Sequence, residues 1–209
     1  MDNNTSFRDF SRWLNMLYDH AVQGIPGMDS AQKLADNYRQ VFPTKNDAIA
    51  NLILWESVKA ATSGFITGLG GIAVLPVTLP ASLTGLLFIQ IRMIAAIAII
   101  GGYSVYDIRT RNFIYICLGA SVAKEMLRLA GGNLLSHLSN KGVQEISKLV
   151  TTKLLSQLAT GRILYTAPRI TPLLGGFIGG GLDWLTVRAT GEFASRIFYR
   201  NNSTICNPV

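Results

Sequence analysis

Ala60-Ala-Thr-Ser-Gly-Phe-Ile-Thr-Gly-Leu-Gly-Gly-Ile-Ala-Val-Leu-Pro-Val-Thr-Leu-Pro80, continued by Ala81-Ser-Leu-Thr-Gly-Leu-Leu-Phe-Ile-Gln-Ile-Arg-Met-Ile-Ala-Ala-Ile-Ala-Ile-Ile100, is the stretch on which the fold turns. From Ala60 to Ile91 thirty-two residues pass without a charge before the run meets Arg92. Such a segment must be withdrawn from water, into a helical core or a bilayer, and its single guanidinium must find a partner or a wet surface. Pro76 and Pro80 break the run, so it is not one helix. Ser82 to Ile100 is apolar on nearly every face, which places it at the centre of its fold or within a membrane.

Outward from this segment the periodicity is helical. Phe7, Phe10, Leu14, Leu17, Tyr18 and Ala21 share one face of a helix over 5–22, stopped by Gly24-Ile-Pro-Gly. Asp29 or Ser30 is placed to cap a second helix that ends at Phe42-Pro43. Thr44, with Asp47 three residues on, opens a third that runs through Trp55 and Lys59. After Gly101-Gly102, Asp107 is placed to cap a helix expected to continue through Phe113, Cys117, Val122 and Leu127 to Gly131. Residues 142–159 predict an amphipathic helix with Val143, Ile146, Leu149, Val150, Leu154 and Leu158 inward. A glycine-dense helix follows from about Leu173 to Arg200. No period-2 strand pattern survives, so the expected fold is all-α: a single-domain helical bundle with a central apolar helix and Gly-rich crossings. Its expected parts are N-terminal amphipathic helices (1–43), a main helical domain (44–200) and a loose tail (201–209).

Charged residues make up only 15 % of the chain, hydrophobic ones 49 %, and the net charge is +7. Residues 1–63 carry six Lys/Arg against seven Asp/Glu, whereas 64–209 carry thirteen against five. A basic, apolar C-terminal region suits an anionic membrane surface. Nucleic acid is not an expected partner, because the basic residues are spread singly rather than in a stripe interleaved with aromatics. The two cysteines, Cys117 and Cys206, form no CxxC and have no paired histidines, so no metal site is expected. Cys117 reads as a buried thiol. The opening Met-Asp-Asn-Asn-Thr-Ser has neither the basic nor the apolar part of a signal peptide. The expected compartment is therefore cytoplasmic, peripheral to the inner face of the membrane.

Two blocks resemble the bacterial EcsC family. One is Thr67-Gly-Leu-Gly-Gly-Ile-Ala-Val-Leu-Pro-Val-Thr-Leu-Pro through Ile89-Gln-Ile-Arg-Met-Ile-Ala-Ala-Ile-Ala to Gly102-Tyr-Ser-Val-Tyr-Asp. The other is Thr171-Pro-Leu-Leu-Gly-Gly-Phe-Ile-Gly-Gly-Gly-Leu-Asp-Trp-Leu-Thr, followed by Gly191-Glu-Phe-Ala-Ser-Arg-Ile-Phe. The chain departs from the family pattern at Thr78, where an acidic residue is common, and in a shorter region 131–168. The resemblance implies an α-helical protein found alone or near membrane and transport machinery. It brings no established reaction, cofactor or catalytic residue.

Several residues stand out on their own chemistry. Gly64 and Gly68, Gly175 and Gly179, and Gly176 and Gly180 are each four apart. That spacing lets another backbone approach, within the core or in self-association as a homo-oligomer. Arg92 and Asp183 are each isolated charges among small or apolar neighbours. They are expected to pair across the two blocks, with Gln90 and Thr186 adding hydrogen bonds. Arg109 and Arg111 are candidate contacts for anionic headgroups. No GxSxG elbow, paired carboxylates or phosphate-loop ending is present.

The expected function is accordingly non-enzymatic: association with an anionic membrane surface or a membrane protein, without a cofactor. One alternative is an integral, pore-like protein. Nineteen residues from Ser82 to Ile100 suffice for roughly 30 Å of hydrocarbon, with Arg92 costing about 2.5–3.5 kcal/mol. The other is a hydrolase built on His20 or His137.

Overall fold

The computed structural model describes residues 3–61, 81–119, 140–159 and 172–200. Its elements are helices: α1 (Asn3–Gln23), α2 (Ala31–Val41), α3 (Lys45–Ala61), α4 (Ala81–Gly101), α5 (Ile108–Leu118), α6 (Asn140–Ala159) and α7 (Pro172–Ser195), the last running into a π turn at Arg196–Arg200. Among the described residues the only β feature is an isolated bridge between Ile25 and Met28.

Local chemistry sets the helix ends. Ser30 caps α2, its Oγ accepting from the Lys33 amide at 3.1 Å. Thr44 Oγ1 accepts from the Asp47 amide at 3.1 Å and donates to the Asp47 carboxylate at 2.6 Å, which holds the capping hydroxyl in place at the start of α3. At the end of α4, Gly102 takes φ +100°. The Gly102 amide bonds Ile99 O at 3.0 Å and the Tyr103 amide bonds Ala98 O at 2.9 Å, which is a Schellman closure. Asp107 then caps α5 through the Arg109 amide at 2.8 Å.

The apolar run from Ser82 becomes the hub. α4 touches α1, α2, α3, α5, α7 and the π turn, and 94 % of Thr84–Gly101 is buried inside the protein. Each of its buried Ile side chains contributes roughly 1.5–3 kcal/mol by leaving water. α1 is fastened across the bundle: the Tyr18 hydroxyl donates to Val105 O at 2.6 Å, and the Tyr115 hydroxyl to Asn15 Oδ1 at 2.7 Å. One continuous core therefore includes the N-terminal helices as well as α3–α5 and α7.

Two expectations are corrected. α5 ends at Leu118 with Gly119 as its cap, rather than continuing unbroken through Val122 and Leu127, which lie outside the described residues. α6 turns Leu149 outward and buries Ser147 and Thr151 instead. Its polar inner face shares a groove with Asn15 of α1 and Asn112 of α5, so hydroxyls are better accommodated there than a leucine.

Candidate functional site

α3 inverts its polarity over residues 54–58. Its inward face carries Ala48, Ile49, Leu52 and Ile53 and then, one turn on, Glu56 and Ser57, both fully buried. Its outward face shows Leu54, Trp55 and Val58, with Trp55 52 % exposed. A buried carboxylate and an exposed large apolar group are the two informative exceptions to ordinary burial, and adjacent residues of one helix supply both.

Inside, Glu56 bridges two cations. Its Oε2 accepts from Arg92 Nη2 at 2.9 Å and its Oε1 from Lys59 Nζ at 2.8 Å. Arg92 Nη1 reaches the Asp29 carbonyl at 3.4 Å, joining the α1–α2 loop to the pair. Lys33 bonds the Asp29 carboxyl at 2.8 Å and holds it below the usual carboxylate range. Burial pushes the nearby Tyr38 phenol up to about 12, with Glu56 adding to the shift and Arg92 opposing it. The buried guanidinium of α4 is thus neutralised from α3. The side chain of Asp183, the expected partner, lies outside the described ones. Of the expected supporting groups, Gln90 is buried in α4, whereas Thr186 is exposed on α7. Glu56 was legible as a candidate, because it continues the inward spacing of Ile49, Leu52 and Ile53.

Where α7 crosses α3 the helices meet at Gly191. A Cβ there would stand 2.8 Å from Ile53 Cγ1 and 3.1 Å from Met93 Cε. Gly175, Gly176, Gly179 and Gly180 belong to α7, but their surroundings lie outside the description, as do Gly64 and Gly68 altogether. Beyond this crossing the helices part to leave a cleft of about 460 Å³. Ile49, Ala50, Ile53 and Leu54 form its floor. Arg188, Glu192, Arg196 and Arg200 line one wall, with Ser195 and Asn46 adding polar atoms.

The wall depends on the π turn. Residues four apart on an α-helix drift by about 40° per step, so Arg200 would wander from the line of Arg188, Glu192 and Arg196. A π turn takes more residues per turn and reverses the drift. Phe198 pins that turn from behind. Its ring meets Tyr103 and Phe113 edge-on at centroid distances of 5.3 and 6.4 Å, and its carbonyl lies against Gly101, where there is no room for a Cβ. Arg188 bonds Glu192 at 3.0 Å and lies 5.1 Å over the Trp184 ring. Among the described residues no carboxylate pairs with Arg196 or Arg200, both exposed. The spacing Arg188–Glu192–Arg196 is visible in the sequence, but only the π turn brings Arg200 into line with it.

Arg109 and Arg111, expected to contact headgroups, are turned onto the fold itself. Arg111 is 28 % exposed, pairs with Asp19 at 3.1 Å and lies 4.5 Å over the Tyr18 ring. Arg109 lies 5.8 Å over Phe113. His20 Nδ1 is 2.7 Å from Met16 O, a backbone partner rather than a serine or aspartate, and His137 lies outside the described residues.

The model of the EcsC protein family matches residues 10–200, and the chain belongs to that family. No curated protein and no solved structure matches it.

Proposed function

We propose that this EcsC-family protein is a peripheral, non-enzymatic binder of anionic membrane surfaces, working from the cytoplasmic side through the outer face of α3 and α7. The observation that carries the reading is the inversion of α3: Trp55 stands in water while Glu56 is buried. Leu54, Trp55 and Val58 form one exposed stripe, and Leu185 adds a second exposed apolar group on α7. Leu54 and Arg188 line the same cleft, so the stripe adjoins the basic wall. Trp is favoured at the level of lipid headgroups, and each basic group near an anionic leaflet adds about 1 kcal/mol.

The burial of α4 supports a peripheral rather than a spanning mode, because its apolar surface is already used within the bundle. Flotation with vesicles of phosphatidylglycerol and phosphatidylcholine tests the reading. Binding should require the anionic lipid, weaken with salt, and fall several-fold in a Trp55→Ser/Leu185→Ser variant. Unchanged flotation of that variant, or capture only by a membrane protein, would sink the lipid-surface reading. Release from cells by detergent but not carbonate would favour the integral alternative.

A further inference from the structure

We infer that the cleft between α3 and the π turn is a binding site for a single phosphate-bearing amphiphile, the phosphate held by Arg196 and Arg200 and the acyl chain laid against Ala50 and Leu54, the accessible aliphatic residues of its floor. The walls have opposite chemistry, as an amphiphile demands. One is aliphatic, and the other presents three arginines against one glutamate, a local excess of two positive charges. A phosphate monoester carries up to two negative charges, which that excess matches; a carboxylate carries one. The guanidinium fork suits phosphate oxygens in bidentate geometry, and Ser195 and Asn46 add polar atoms to the lining.

Complementing the carboxyl end of α7 explains one cation in the last turn. It does not explain why two arginines face a cleft with an aliphatic floor. Phe198, buried in its aromatic socket, fixes the turn that carries both of them, so little ordering is left for the ligand to impose. A volume of about 460 Å³ holds a headgroup and the first part of a chain. The inference rests on the membrane-surface reading only for the source of the ligand, since the cleft opens beside the exposed stripe.

Calorimetric titration of the full chain with dihexanoyl phosphatidic acid, below its micellar concentration, tests the site apart from any bilayer. Saturable one-to-one binding is expected, with inorganic phosphate and dihexanoyl phosphatidylcholine each weaker by about ten-fold or more. Arg196→Gln/Arg200→Gln should lower phosphatidic acid affinity by about ten-fold or more. Both residues are exposed, and an unchanged melting temperature establishes that the variant is folded. Absence of binding, equal affinity for inorganic phosphate, or undiminished binding by the double variant would each overturn the inference. Trp55→Ser/Leu185→Ser should leave this titration unchanged while weakening vesicle flotation, so the two readings fail separately.

Discussion

Arg92 Nη2 lies 2.9 Å from Glu56 Oε2, with both side chains closed off from water at 5 % and 0 % exposure. The pair joins the central helix to α3 and, through the Asp29 carbonyl, to the loop before α2. Its attraction largely repays the desolvation of two ions rather than adding net stability. Its consequence is a requirement that both charges be present together.

Removing one partner should therefore cost far more than removing both. Glu56→Gln leaves a buried guanidinium and is expected to destabilise by about 3–5 kcal/mol. Arg92→Met combined with the same Glu56→Gln should recover most of that loss. Urea denaturation of the singles and the double gives the coupling, and additive losses would show that the two charges do not act as a pair. The same cycle between Arg92 and Asp183 is expected to give the smaller coupling.

The glycines at helix contacts should rank by what a methyl group meets. Gly101→Ala drives a Cβ against the Phe198 carbonyl, a backbone atom, and should be the most harmful. Gly191→Ala meets the side chains of Ile53 and Met93, which can yield in part, for a loss of about 1–3 kcal/mol. Gly102→Ala meets open space and costs only the left-handed conformation, roughly 1–2 kcal/mol. Thermal melts of the three variants check the order.

Stability should fall above pH 10. Burial is the main cause that raises the Tyr18 phenol to about 12, with Arg111 opposing it; Tyr115 is pushed up as well, also by burial. A phenol whose folded pKa exceeds the unfolded value of about 10 favours the native state fully below pH 10. That contribution is lost as pH rises toward 12, because the unfolded chain deprotonates first. For Tyr18 the loss approaches about 1.4 kcal/mol per pH unit. Denaturation midpoints at pH 9, 10 and 11 should decline in that order, less steeply in Tyr18→Phe.

Cys117 should be inert in the folded protein. Burial pushes its thiol well above the ordinary cysteine range, and the thiolate is the reactive form. In a Cys206→Ser background, Ellman's reagent at pH 8 should label Cys117 only after guanidinium is added. Rapid native labelling would show that α5 opens readily.

The chain's own order of residues determined the all-α class and most of the helix caps, whereas the burial of the central helix inside the protein is a finding of the tertiary structure. Ser30, Thr44 with Asp47, Gly102 and Asp107 act through bonds spanning two to five residues, so their effect is written in adjacent positions. The glycine-proline blocks likewise carried the family. What only the tertiary structure decided is which distant groups meet. Whether Arg92 finds Glu56, thirty-six positions away, depends on the rotation of α3 against α4. Whether Arg196 and Arg200 face one cleft depends on the π turn that Phe198 holds in place. Helical periodicity assigns a residue to a face, but packing of whole helices chooses what that face meets, and here it left Trp55 outside and put a carboxylate within the core.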